Sequence, residues 1–195
     1  MHHNAGVDQP PVTPGRPPAL LPLPGGVSLR RRRVADSPAL CAAVLESLDH
    51  LRPWMAWAAE PPVPERTEEQ SRAAEAAWES GTEFVYLLGL DAVPGSVIGG
   101  CGLHGRIGPG ALEIGYWVHP SHTGRGHARN LAAALTEAAL ALPGIGRVEI
   151  HCDEANTASA AVPRRLGYRL DRIEDDGITA PAESGRGMVW TFPPR

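Results

Sequence analysis

The stretch EIGYWVHPSHTGRGHA, residues 113 to 128, is the most informative part of this chain. A predicted strand ends at Val118, a polar loop follows, and a predicted helix begins near Gly124. Gly124 and Gly126 let the backbone approach a ligand closely, and the free amides of a helix N-terminus favour an anion. Arg125 and His127 add positive charge. The pattern predicts an anion site, most simply for a pyrophosphate, with an ordinary glycine-rich turn as the alternative.

Two other phosphate-binding loops do not fit these residues. The ATP-type loop requires Gly-x4-Gly-Lys-Ser/Thr, and the chain has no such run. The dinucleotide fingerprint requires a third glycine where this chain has Arg129, and it places the loop directly after the strand. Here residues 120 to 123 intervene, so both alternatives fail.

Strands and helices alternate on either side of this stretch. Thr67-x-x-Gln70 is a capping-box pattern that predicts the start of a helix through Trp78. Apolar residues at helical spacing predict the helix after the loop, which ends at Pro143-Gly144. Antiparallel strands come first and a β/α/β/α/β order follows, which predicts a mixed α/β fold with helices on both faces of the sheet. The predicted strands are 27–34, 83–90, 96–104, 112–118, 147–152, 167–173 and 187–192.

The first 26 residues differ in composition from the rest of the chain. They contain seven of the 20 prolines and four glycines. Such a segment buries too little apolar surface to offset its ordering entropy, so residues 1–26 are predicted to be a mobile Pro/Gly-rich arm. Residues 27–195 are predicted to form a single domain.

Composition excludes several classes of function. The formal net charge is -4, with no cationic excess for nucleic acid. The run of arginines at 30–33 is typical of a polar-faced edge strand. No apolar run reaches the ~20 residues needed to span a membrane. Three widely spaced cysteines indicate a reduced, cytoplasmic protein. No metal is predicted, because His151 and Cys152, as neighbours in a strand, point to opposite faces.

Two motifs resemble a known family. Val118-x-Pro120 followed by residues 123 to 128 is similar to the acetyl-CoA motif of GNAT acetyltransferases. Residues 113 to 117 and the Leu51-x-Pro53-Trp54 turn resemble the branch that acetylates protein N-termini, first known from ribosomal proteins. A second motif runs from Asn156 to Tyr168, as NxxSxxVxxxLGY. The resemblance covers about residues 27 to 192.

The resemblance implies a twisted, mostly antiparallel sheet of about seven strands, splayed between the fourth and fifth. Strands 112–118 and 147–152 would separate there, and the pantetheine arm of acetyl-CoA would add in the gap like a strand. Asn156 and Ser159 would meet the thioester. Thr123 stands where the family usually has Arg or Gln. The other implied cofactor contacts come from the backbone of Trp117, Val118, Gly124, Arg125, Gly126, His127 and Ala128.

The catalytic residues implied by the resemblance depart from the family in one respect. Many members have a tyrosine acid seven residues after the asparagine, where this chain has Pro163. Ser159 is then the candidate acid, and its alternative role is to satisfy the first turn of its helix. Glu113 is the candidate base, directly or through water, and its alternative is a solvent-facing strand carboxylate. The Val118 amide is a candidate oxyanion donor.

The sequence says least about the pocket that binds the acceptor amine. Arg52, Trp54 and Trp57 follow the first helix, where this branch shapes its acceptor pocket, although two tryptophans also suit core packing. The predicted function is acetyl transfer from acetyl-CoA to a primary amine, possibly a protein N-terminus, by direct attack without an acyl-enzyme. A non-catalytic acyl-CoA-binding or sensory protein, a small-molecule acetyltransferase and a nucleotide-binding oxidoreductase are the alternatives. A homodimer is expected.

Overall fold

An eight-stranded sheet forms the centre of the protein, whose computed structural model describes residues 15–192. The strands lie in the order β1-β2-β3-β4-β5-β6-β8-β7. All neighbours are antiparallel except β5 and β6, which are parallel. The strands are β1 (Leu20–Leu23), β2 (Val27–Arg31), β3 (Glu83–Leu90), β4 (Gly99–His104), β5 (Ala111–Val118), β6 (Arg147–Asp153), β7 (Arg169–Asp175) and β8 (Arg186–Phe192).

Helices pack on both faces of this sheet, as predicted. Leu88 lies in the larger core cluster with the α4 residues Leu131 and Leu135, whereas the adjacent Leu87 packs with α1 and α2. Successive strand residues face opposite sides, so α4 and the α1–α2 pair cover opposite faces. The helices are α1 (Ser37–Glu46), α2 (Leu48–Leu51), α3 (Pro64–Ser80), α4 (His127–Leu140) and α5 (Thr157–Arg165). None of them, within residues 15–192, is long and apolar enough to cross a membrane.

The structure corrects the predicted mobile arm from residue 20 onward, where the chain forms a strand. Leu20–Leu23 pair with Val27–Arg31 as a hairpin, and Leu23 is buried. Tyr86 anchors the segment, since its hydroxyl donates to the carbonyl of Pro18 at 2.8 Å. This extra strand raises the count from seven to eight, so the fourth and fifth predicted strands are β5 and β6 in the structure. Residues 1–14 lie outside the described residues.

The hairpin also makes β2 an inner strand, so the arginines at 30–33 do not mark an edge. Arg30 pairs with Asp36 at 2.5 Å, and Arg31 pairs with Glu79 at 2.7 Å. Arg32 donates to Ser71 and to the Thr67 carbonyl on α3. These arginines therefore connect β2 to Asp36 and to helix α3.

The predicted capping box at Thr67 is wrong. Helix α3 begins at Pro64, because proline suits a first helical position, where its missing N–H is not needed. Thr67 lies within the helix, and its hydroxyl donates back to the carbonyl of Val63 at 3.0 Å. Such back-bonding is an ordinary use of threonine inside a helix.

Candidate functional site

Strands β5 and β6 separate in the middle of the sheet. They pair at Ala111↔Arg147, Leu112↔Val148 and Glu113↔Glu149, and no later pair joins them among the described residues. Residues 114–118 of β5 and 150–153 of β6 therefore border a gap. Backbone N–H and C=O groups on such an edge need partners, which an extended ligand can supply.

A glycine-containing loop closes the wide end of this gap. Gly124 and Gly126 have φ of 72° and 81°, the left-handed region that favours glycine. These angles are not helical, so α4 begins at His127 rather than near Gly124 as predicted. Gly126 is the N-cap and makes no side-chain cap hydrogen bond. The first amides of α4 are thus left free of a capping side chain, and the space beside Gly124 is open.

The charges near this loop differ from the prediction in one respect. His127 is buried, and its pKa is lowered because burial disfavours the imidazolium and Arg125 repels it. His127 is therefore neutral near pH 7 and adds no positive charge. Arg125 is exposed to solvent, and its side chain donates to the Ser121 carbonyl within the loop at 3.0 Å.

The start of α5 lies against the gap from the other side. Asn156 caps the helix, since its Oδ1 accepts from the Ser159 amide at 3.0 Å. The Ser159 hydroxyl lies 3.2 Å from the hydroxyl of Tyr116 on β5. Burial, the largest effect, raises the pKa of Tyr116, which keeps this phenol protonated. The Tyr116 hydroxyl was missed by sequence reasoning, because no motif position pairs residue 116 with residue 159.

Glu113 is not a solvent-facing carboxylate. It is 7% exposed, and Arg106 holds both of its oxygens at 2.6 and 2.7 Å. Burial acts to raise its pKa, but the hydrogen bonds from Arg106 and the nearby His151 lower it overall. A neutralised carboxylate with a lowered pKa is a weak proton acceptor.

A cavity of about 790 Å³ lies between the sheet and helices α1 and α3. Arg66, Met55, Trp117 and Ser159 are among the residues that line it. Ser159 therefore borders the cavity as well as the gap. This size falls within the range typical of small-molecule and peptide sites.

The three residues predicted for the acceptor pocket separate in the structure. Trp57 lines the cavity with 55% of its surface exposed. Arg52 and Trp54 do not line it. The Arg52 side chain instead donates to the Ala59 carbonyl at 3.3 Å and lies 3.5 Å from Asp49, so it braces its own turn. Sequence reasoning missed Met55, which lines the cavity together with Trp57.

The family model described as an acetyltransferase (GNAT) domain matches residues 27–169. The chain belongs to this family. It is therefore an acetyl-CoA-dependent acyltransferase that transfers an acetyl group to an amine, as predicted from the motifs. No curated protein matches the chain in a direct sequence comparison.

Solved structures agree with this fold. RimL, described as a ribosomal L7/L12 alpha-N-protein acetyltransferase in complex with coenzyme A, is 23% identical with a TM-score of 0.80, over 89% of this chain and 97% of that one. Mycobacterium smegmatis RimJ, with a CoA-disulfide, is 24% identical with a TM-score of 0.78, over 93% and 90%. The microcin C7 self-immunity acetyltransferase MccE, with acetyl-CoA and AMP, is 16% identical with a TM-score of 0.76, over 86% and 92%. The predicted branch is thus among its structural neighbours.

Proposed function

We propose that this GNAT enzyme acetylates the N-terminal amine of a protein or peptide by direct attack, without an acyl-enzyme. The observation that carries the proposal is the cavity that meets the β5–β6 gap at Ser159. An amine in the cavity would reach a thioester in the gap at that point. Placing two reactants in this way supplies much of the rate without a covalent intermediate.

The gap and its loop fit acetyl-CoA, which supplies an activated acyl thioester. We assign the pantetheine arm to the free backbone edge at Trp117 and Val118, because that edge lacks a strand partner. We assign the pyrophosphate to the loop of Thr123, Gly124, Arg125 and Gly126 and to the first amides of α4, at His127 and Ala128. His127 then acts through its backbone, since its side chain is neutral.

Ser159 and Tyr116 are placed to handle the leaving group. We assign Ser159 the role of proton donor to the thiolate, with Asn156 orienting it through the helix cap. The Tyr116 hydroxyl at 3.2 Å can pass its own proton to Ser159. This pair takes the place of the tyrosine that Pro163 replaces. The Val118 amide is the proposed oxyanion donor.

An N-terminal amine suits this site chemically. An α-amino group with a pKa near 8 is about a tenth neutral at pH 7, whereas a lysine amine near 10.4 is far less so. RimL is described as an alpha-N-protein acetyltransferase, which supports the same acceptor class here. The MccE complex carries AMP, so a small-molecule amine is the competing acceptor class.

The test has two stages. Thermal unfolding with acetyl-CoA at a hundred times its dissociation constant should stabilise the protein by ~2.7 kcal/mol, which raises Tm by about 5 to 10 °C. Thiol release is then measured with peptides that begin in Ser or Ala, with the same peptides blocked at the N-terminus, and with small amines. Release that requires a free peptide N-terminus supports the proposal. Release with small amines alone would contradict it.

We also propose a cellular location, a class of partner and an oligomeric state. The described cysteines are all free, which supports a reducing, cytoplasmic location. The net charge of -4 supports a partner other than nucleic acid. A homodimer rests on the general frequency of two-fold assemblies, and light scattering of the purified protein tests it.

A further inference from the structure

A row of ionisable side chains crosses the sheet along one face of the cavity. Glu83, His104, Glu113 and Glu149 are successive cross-strand partners on β3, β4, β5 and β6. Directly opposed residues project from the same face of a sheet. The first three line the cavity. The row reaches the gap, because Glu113↔Glu149 is the last β5–β6 pair before the strands separate.

The carboxylates at the gap end of this row are already neutralised. Arg106 holds Glu113 through two hydrogen bonds of 2.6 and 2.7 Å. Glu149 lies 2.9 Å from Arg147 and 2.7 Å from His151. Neither carboxylate is free to accept a proton from a substrate.

His151 lines the cavity as well, but both of its ring nitrogens face carboxylates. Its Nε2 lies 2.7 Å from Glu149, and its Nδ1 lies 4.0 Å from Glu113. The first contact is a hydrogen bond that orients Nε2 as a donor, whereas 4.0 Å is too long for a hydrogen bond. The second nitrogen, Nδ1, therefore lies beside a carboxylate without being hydrogen-bonded to it.

His104 differs from His151 in the surroundings of its second nitrogen, which lies over glycine backbone rather than beside a carboxylate. Its Nδ1 contacts the carboxylate of Glu83, which orients that nitrogen as a donor and leaves the lone pair on Nε2. Nε2 has no hydrogen-bond partner within residues 15–192, and the side chain is 19% exposed. The ring is thus held at one end and free at the other.

Two glycines bring this ring toward the gap. A Cβ atom added at Gly102 would lie 2.9 Å from His104 Nε2, and one added at Gly115 would lie 3.3 Å from it. The imidazole therefore lies over backbone that carries no side chain. Gly115 is on β5, two residues beyond the last β5–β6 pair, where the gap meets the cavity.

We propose that His104 is the general base for the acceptor amine and that Glu83 is its positioning residue. This inference rests on acetyl transfer to an amine as proposed above. His104 Nε2 takes a proton from the acceptor ammonium, directly or through one water, and Glu83 stabilises the imidazolium. The neutral amine forms the C–N bond, the C–S bond breaks, and the thiolate receives its proton from Ser159, which recovers one from Tyr116. The acylated nitrogen then loses its second proton, which returns through water to the Ser159–Tyr116 pair, and the imidazolium releases the first proton to solvent.

Charged groups from several strands surround His104. The carboxylates are Glu83 on β3 and Glu113 on β5. The guanidinium groups are Arg106, which follows β4 and is bound to Glu113, and Arg32, whose charge acts on Glu83. His151 and Glu149 on β6 form a hydrogen-bonded pair beside Glu113.

The experiment measures kcat and KM against pH for wild type, H104Q, E83Q, H151Q and the exposed-site control H50Q, with one acceptor. H104Q is expected to lower kcat at pH 7 by about a hundredfold, with the KM for acetyl-CoA unchanged. It should also displace the acidic limb of the kcat profile upward to the pKa of the acceptor amine, so that activity recovers near pH 9, where the acceptor deprotonates itself. E83Q should give a smaller loss and shift that limb.

The outcomes separate the two proposals. An unchanged acidic limb in H104Q, or an upward displacement of the limb in H151Q instead, overturns the role of His104 while acetyl transfer stands. A wild type that acetylates no amine at any pH overturns both. The acetyl-CoA-induced rise in Tm shows that each variant is folded, and recovery of H104Q at high pH distinguishes a lost base from a damaged cavity.

Discussion

The two sides of the sheet gap are built in different ways. The side that we assign to acetyl-CoA consists of backbone groups from contiguous segments: the β5 edge, the loop at residues 123–128 and the cap at Asn156. The side that we assign to the acceptor consists of side chains from β3, β4, β5 and the turn before α3, which are far apart in sequence. A backbone site needs a local pattern of glycines and a helix start, whereas a side-chain site needs a sheet register. Variants on each side should therefore affect different kinetic constants.

Replacing Gly126 should have the largest effect. An alanine at φ 81° is strained by ~1 to 3 kcal/mol, and straightening the turn moves the α4 amides. G126A is expected to weaken acetyl-CoA binding about a hundredfold, as measured by calorimetry. G144A, at φ 78° in the turn after α4, is the matched control. If G144A loses as much stability as G126A but keeps its affinity for acetyl-CoA, the loss of affinity in G126A belongs to the loop. If both variants lose affinity equally, the assignment of the loop to the cosubstrate is contradicted.

Removing the hydroxyl of Ser159 should lower kcat with little change in either KM. We expect about a ten- to hundredfold loss in S159A, because the leaving thiolate loses its proton donor. Y116F should give a smaller loss, since it removes only the group behind Ser159. The contrast is measured by single-turnover thiol release. A larger loss in Y116F than in S159A would make Tyr116 the donor.

Trp57 and Arg52 test the acceptor side. W57A is expected to raise the acceptor KM about five- to tenfold, because an exposed aromatic on a cavity wall offers large contact area. R52A should leave the acceptor KM within twofold, since Arg52 braces its own turn. Neither should change the KM for acetyl-CoA. An R52A effect as large as that of W57A would return Arg52 to the acceptor pocket.

The smallest expected effect concerns stability against pH. The pKa of His127 is lowered from its ordinary 6.5 by burial and by Arg125. The unfolded chain therefore binds a proton that the folded chain does not, and stability falls as pH drops below about 6.5. H127Q should flatten this part of the Tm profile between about pH 6.5 and 5. A wild-type profile that rises on acidification there would contradict the buried, neutral His127.

Sequence reasoning was most successful where the information is local. The glycine loop, the strand before it and the helix after it follow from residues within one segment, because turns and helices depend on nearby φ angles and on local periodicity. Errors arose where distant residues decide the outcome. Residues 20–23 form a strand because β2 offers an edge, and Thr67 lies inside α3 because Pro64 starts the helix earlier.

The candidate site shows the same division between features set by local sequence and features set by distant residues. The sequence by itself determined the family, the cosubstrate and the loop that we assign to phosphate, since each follows from contiguous motifs. Only the tertiary structure decided that Arg106 neutralises Glu113, that Glu83 orients His104 and that Tyr116 meets Ser159. These contacts depend on strand register and on helix packing across the sheet. A one-residue shift in strand register would reverse the face on which each strand side chain lies, and these partners come from segments that are distant in the chain.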